Sequence, residues 1–321
     1  MSAILNLPLS ISAVERNTGL SKDTLRVWER RYGFPTPARD AHGERVYPPE
    51  QVEKLRIIKH LMDRGLRPGK LIGQDLADLK GLADEHPADG SPPLPPELAA
   101  LMDLLRGHRV TELRQQLMQS LHRQGLEHFI SDVIAPMNTE VGESWMRGDL
   151  EVYEEHLYTE VAQGLLRSTI NGLPPGSQAP RVLLTTLPGE VHQLGLLMAE
   201  AIFTLNDAGC ISLGTQTPAR DIALAAESHS ADVVALSFSA AFPAAQVAEA
   251  LASLRGQLPA RIELWAGGGN PGLGRRIAPG VTVLRDLEQI GAAVAAWRAS
   301  RTVAVAAAPV SAHASDPAKQ T

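Results

Sequence analysis

The chain holds a single cysteine, Cys210, among 321 residues. One thiol excludes an intrachain disulfide and any zinc site built from several thiolates, so metal chemistry has to come from histidine or from a cofactor. Long apolar runs are missing as well. None approaches the ~18 residues of a membrane span, and the first residues carry no basic stretch followed by an apolar one. A cytoplasmic protein with no membrane partner is expected. Nor is there a surplus of positive charge: the formal net charge is −6, which argues against a chain that binds nucleic acid along its whole length. The deficit is uneven. Residues 1–80 carry 14 Lys and Arg against 10 Asp and Glu, whereas the remainder carries 16 against 26. A basic front and an acidic rear suit a DNA-contacting head on a sensing or assembling body. Paired-carboxylate and nucleophile–base motifs are also lacking, so no catalytic residue is assigned and a non-enzyme is expected.

What is present divides by pattern into a multidomain chain. Residues 1–80 read as an N-terminal α winged helix-turn-helix. A linker over 81–96 contains EHPADGSPPLPP, whose five prolines cannot continue a helix or join a sheet. Over 97–175 apolar residues recur three and four apart (Leu98, Leu101, Leu104, Leu105; Leu113, Leu117, Leu121), which predicts a bundle of four or five helices. After the break at Leu173-Pro-Pro-Gly-Ser, short apolar runs alternate with amphipathic stretches. Arg181–Thr186, Cys210–Leu213, Val233–Ser237, Ile262–Ala266 and Val281–Leu284 predict buried parallel strands of a doubly wound, flavodoxin-like (Rossmannoid) α/β sheet over 176–298. Residues 299–321 turn to Ala, Val, Pro, Ser and Lys, and a disordered tail is expected.

In the front segment, ISAVERNTG and LSKDTLRVWERR predict two helices joined at a Gly turn, the second capped by Ser21 and placed for the major groove. Arg26, Arg30 and Arg31 lie on it, within reach of phosphates or guanine edges. A polar hairpin around Asp40–Glu44 fits a wing whose Arg39, Arg45 and Tyr47 touch the DNA backbone, and a long helix over Pro49–Arg64 follows. Taken singly, each arginine fits a solvated helix face equally well, and Trp28 fits the core. In this order, with TLRVWERR, the Pro-rich turn and the Arg-x-Tyr of the wing, residues 9–75 resemble the MerR family of regulators. That resemblance implies double-stranded operator DNA as partner and a homo-oligomer, dimer or tetramer.

The strand ending at Thr186 runs into Leu187-Pro-Gly-Glu-Val-His-Gln-Leu-Gly195. In a doubly wound sheet the loop after the first strand faces the ligand crevice, so His192 is a candidate ligand and Glu190 a candidate acceptor for its second ring proton. A lone loop histidine also fits a cap. The wider pattern resembles cobalamin domains of the methionine-synthase type: Glu190-x-His192-x-x-Gly195, then Ser237-x-Ser239 after 41 residues, then Gly267-Gly268 after 27 more. The resemblance implies cobalt held from below by His192, with the nucleotide tail entering beside the small residues. Ser239 departs from the bulkier residue usual there.

Trp145, nine residues, then Glu155-His156 lie in the helical segment between these two parts. With them the similarity to the CarH/LitR photoreceptor regulators extends over residues 9–298. It implies adenosylcobalamin as chromophore, Trp145 over the adenosyl group, Glu155 hydrogen-bonded to it, and His156 as upper cobalt ligand after light breaks the cobalt–carbon bond. It also implies a dark homotetramer that represses transcription. The competing readings are a regulator that senses cobalamin without light, and a corrinoid-dependent enzyme subunit; the latter lacks room for a substrate-activating barrel.

Overall fold

A computed structural model describes residues 8–63, 65–85, 94–176, 178–274 and 277–306. The central part of the expected linker and residues 307–321 of the expected tail lie outside the described residues. Strand β1 (Leu9–Ser10) leads into α1 (Ile11–Thr18) and α2 (Lys22–Tyr32), followed by β2 (Ala38–Arg39) and β3 (Arg45–Tyr47). The three strands form a small antiparallel sheet in the order β1-β3-β2. Ser10 and Ser21 cap the two helices by accepting from the amides of Ala13 and Thr24, which satisfies donors the helix itself leaves free. Each helix then ends on a left-handed glycine, Gly19 and Gly33. At the wing tip the Asp40 carboxylate accepts from the amides of His42 and Glu44, both at 2.9 Å. Helix α3 (Pro49–Asp63), the short α4 (Pro68–Leu71) and α5 (Leu76–Glu85) complete the head. Its core packs Leu25, Trp28, Tyr47, Leu55, Ile58 and Leu61.

The bundle comprises α6 (Pro96–Arg106), α7 (Val110–His128), α8 (Ala135–Arg147) and α9 (Val152–Asn171). A π-helical segment, Phe129–Ile134, joins α7 to α8. The proline at 136 supplies no amide and would collide with the carbonyl one α-turn back, and the wider turn relieves both. Strand β4 (Gln178–Thr185) then opens the α/β part. Helix α10 (Leu194–Leu205), β5 (Ala208–Gly214), α11 (Ala219–Ser228), β6 (Val233–Ser237), α12 (Ala244–Gln257), β7 (Glu263–Gly267), β8 (Val281–Leu284) and α13 (Gln289–Ala306) follow. The sheet is parallel throughout, in the order β5-β4-β6-β7-β8. That order is the expected doubly wound one, and it places the topological switch between β4 and β6.

Alternation along β4 divides the core. Val182 and Leu184 face a cluster shared with the bundle (Leu113, Phe129, Tyr158, Leu166) and α10, while Leu183 faces a second cluster with Val234, Phe238 and Leu251. The helical bundle and the sheet therefore form one packed body and not two separable ones. Helix α13 runs past the expected boundary at residue 298 to Ala306. Alanine is the strongest helix former, so a stretch without amphipathic period still folds once its buried Val294 and Trp297 find the body. Among the described residues no helix is long and apolar enough to cross a membrane.

Candidate functional site

The loop after β4 is held from several sides. Thr186, fully buried, donates to the Glu190 carbonyl at 2.7 Å and accepts from the Gln216 amide at 2.8 Å. Gly189 turns the chain at φ +90°, a conformation costly for other residues. These constraints put Glu190 inside, at 1% exposure, and leave His192 at the surface with its side chain 53% exposed.

Both oxygens of the Glu190 carboxylate are hydrogen-bonded. One oxygen accepts from the His192 amide at 3.0 Å and meets the imidazole Nδ1 at 2.7 Å. The other accepts from the amide and the hydroxyl of Ser239 at 2.7 and 2.8 Å. Because His192 follows β4 and Ser239 follows β6, this carboxylate bridges the switch point itself. Burial opposes its ionisation, but the hydrogen bonds from His192 and Ser239 outweigh that and hold its pKa below the ordinary value. The same bond to Glu190 raises the pKa of His192 against the opposing effect of burial. Glu155, on the first turn of α9, adds to that rise through space, so the bundle brings this carboxylate within electrostatic reach of the loop. Its partner His156 is 71% exposed and pairs with Glu155 through Nδ1.

The small residues serve close packing. A Cβ on Gly195 would stand 2.9 Å from the Ser237 hydroxyl, and one on Gly268 would stand 2.2 Å from the Phe238 carbonyl oxygen. Gly267 approaches the Leu284 carbonyl in the same way. Trp145 lies at the end of α8, which Gly148 terminates in the left-handed conformation, so α8 and α9 are separate helices. Its indole is covered by a residue of the head, Arg56.

Three residues that sequence reasoning missed fix these positions. Asn270, 3% exposed, donates to the carbonyls of Ser239 and Phe242 and thereby holds the loop after β6. Glu154 closes a capping box with Glu151 and accepts from or pairs with His108 at 2.9 Å, which anchors the turn carrying Glu155 and His156. Arg56 is the third. A Gly-Gly-Gly-Asn run after a strand was the only one of these signals visible in the sequence.

On the head, Arg26, Arg30, Arg31 and Arg39 are exposed, as a DNA-facing surface requires. Tyr47 corrects an expectation: it is fully buried and cannot touch DNA. Residues 45 and 47 point to one side of β3, and that side packs on α2. Arg45 shares this direction, donating to Glu29 at 3.1 Å, so it ties the wing to the second helix.

With this geometry established, comparison with known proteins is decisive. The family described as MerR HTH family regulatory protein matches residues 9–72, and the one described as B12 binding domain matches residues 98–168. The HTH-type transcriptional repressor CarH of Myxococcus xanthus is 30% identical over 258 residues, covering 78% of this chain and 85% of that protein. The chain belongs to the CarH/CarA-type MerR family. CarA of the same organism is 30% identical over 240 residues, covering 72% of this chain and 77% of that one. A monomethylamine corrinoid protein of Methanosarcina barkeri superposes with a TM-score of 0.49 at 12% identity, over 60% of this chain and 94% of that one.

This CarH/CarA-type regulator is thus a DNA-binding, cobalamin-binding transcription factor and not an enzyme. The loop fits a corrinoid on its own chemistry. The remaining ring nitrogen of His192, Nε2, makes no hydrogen bond among the described residues, and the adjacent Val191 is 52% exposed, an apolar surface for a macrocycle to cover. A single imidazole backed by a buried carboxylate suits a metal whose equatorial positions are already filled. Glu190→Gln, which keeps the shape but sets an amide nitrogen against donors, is expected to weaken cobalamin retention about 10–100-fold. Equilibrium dialysis measures this, and wild-type affinity in the variant would remove Glu190 from the site.

Proposed function

We propose that this regulator binds operator DNA as a homotetramer in darkness, represses transcription there, and releases the DNA in light, with adenosylcobalamin as its chromophore. When bound, adenosylcobalamin supplies a cobalt–carbon bond that green or blue light breaks. His192 Nε2 would hold the cobalt, oriented by Glu190 and Ser239. Gly195, Ser237, Gly267 and Gly268 stand at the strand ends beside which a nucleotide tail would lie, their backbones packed too closely for larger side chains. From the bundle, Trp145 would cover the adenosyl group, Glu155 would accept a hydrogen bond from it, and His156 would supply a second imidazole to the cobalt once that group has left. In the head, Arg26, Arg30 and Arg31 read or grip the major groove and Arg39 grips the backbone beside it.

The observation that carries this reading is the buried Glu190 carboxylate, which ties His192 on the loop after β4 to Ser239 after β6 at the switch point of the sheet. It supports an imidazole held in a fixed orientation with Nε2 open to a metal, on a sheet that packs against the bundle helix bearing Glu155 and His156. A change in the bulk of a ligand held against both parts would shift how the bundle packs.

The test is to load the full chain with adenosylcobalamin in darkness and select a duplex from a randomised DNA pool. Absorbance, mass and affinity for that duplex are then measured before and after green light. The wild type is expected to change spectrum, drop in mass and lose affinity. A His156→Ala variant is expected to change spectrum and then fail to hold a stable lit form. If spectrum and mass ignore light while cobalamin itself changes DNA affinity, the protein is a light-independent cobalamin sensor.

A further inference from the structure

The head meets the body where α3 packs on α8. The Arg56 guanidinium stands 5.1 Å over the centre of the Trp145 ring and is only 8% exposed. Beside it, Glu53 pairs with Lys80 at 2.7 Å next to Gly148, where a Cβ would come within 3.3 Å of the Glu53 carboxylate. Arg56 Nε and Trp145 Nε1 are both buried without a hydrogen-bond partner among the described residues. Burial pulls the Arg56 pKa down, and the charges of Glu53 and Glu151 only partly offset it.

A buried cation is costly unless something nearby compensates it. Here the face of the indole is the group in direct contact, and an aromatic face attracts a guanidinium more strongly when both are dry. The ring and the head are therefore interdependent. Moving the ring away removes that contact and leaves the buried guanidinium to the partial compensation of Glu53 and Glu151.

We propose that Arg56 is the positioning residue that couples the DNA-binding head to the cofactor site, by holding Trp145 from the head side while the cofactor's upper ligand engages it from the body side. This rests on the reading of Trp145 as the cover of that ligand. A shift of the ring on either side then changes the other, and the coupling is reciprocal. No contact between DNA and body is required, because the exposed arginines of α2 stay accessible while the head is docked.

The test is amide hydrogen exchange on the full chain, with and without adenosylcobalamin in darkness, for wild type, Arg56→Ala and Arg56→Lys. The lysine keeps charge but loses the planar stack. In the wild type, cofactor is expected to change protection of both α8 around Trp145 and α3, by a factor within the about 5–150-fold span of coupled sites. In Arg56→Ala at saturating cofactor the α8 response persists, α3 exchanges fast in both states, and its response to cofactor disappears; Arg56→Lys falls between. If α8 responds in the wild type and α3 does not, or if α3 still responds in Arg56→Ala, the coupling through Arg56 is wrong while the cofactor reading stands. If the wild type binds cobalamin and α8 does not respond, Trp145 is not the cover and both readings fall.

Discussion

A His192→Ala variant is expected to emerge from gel filtration colourless after incubation with cobalamin, while the wild type carries the corrin absorbance with it. The affinity loss should exceed the about 10–100-fold expected for the supporting carboxylate, because the variant removes the ligand atom and not its orientation. Folding should be spared. The imidazole is half exposed, and Glu190 keeps its bonds from the His192 amide and from Ser239 when the ring is gone. The cost to stability is about 1 kcal/mol, that of one hydrogen bond to a buried group. Thermal unfolding measured on the cobalamin-free chain separates the two effects. A variant that unfolds with the wild type but binds no corrin assigns the loss to ligation, whereas retained colour removes His192 from the metal.

Gly268→Ala is expected to do the reverse and break the scaffold. Gly268 sits at φ +113°, and the added methyl would lie 2.2 Å from the carbonyl oxygen of Phe238 and 3.1 Å from its amide nitrogen. Both are backbone atoms, so neither can turn aside. Left-handed strain and overpacking each cost about 1–3 kcal/mol, against a total stability of about 5–15 kcal/mol for a typical domain. The backbone of Phe238 leads directly into Ser239, so any relief by movement also loosens the grip on Glu190. Gly269→Ala is the internal control: nothing lies within 4 Å of its Cβ position and its φ is not in the left-handed range. A large fall in melting temperature for the first variant and none for the second is the expected result. Equal, small shifts would show that the β6–β7 crossing tolerates separation.

The parts of the site legible in the sequence are those whose geometry is set by near neighbours. Glu190 and His192 are two apart on a loop whose place follows from strand order alone, so their pairing could be read from spacing and the doubly wound pattern. Ser21 as a helix cap was legible for the same reason. Tyr47 was misread because Arg-x-Tyr marks a position in the wing without telling which face of the strand it occupies; packing decides that, burying Tyr47 in the head's core while Arg45, half-buried, reaches Glu29 of α2. His108 and Arg56 were invisible, and Asn270 showed only as the end of a Gly-Gly-Gly-Asn run. Each acts on a partner at least 28 residues away in the chain, and only packing brings them together. The far end of α13 was lost for another reason, since an alanine-rich stretch has high helix propensity and almost no amphipathic signature.

The account stands on a protein imidazole at the lower face of the corrin. Electron paramagnetic resonance of the chain loaded with cobalamin in its paramagnetic cobalt(II) state, prepared with ordinary and with nitrogen-15 histidine, tests that bond directly. The predicted result is a nitrogen splitting of the cobalt lines whose pattern changes with the labelled histidine. A splitting indifferent to the label would mean that the vitamin's own base, and not His192, occupies the axial position.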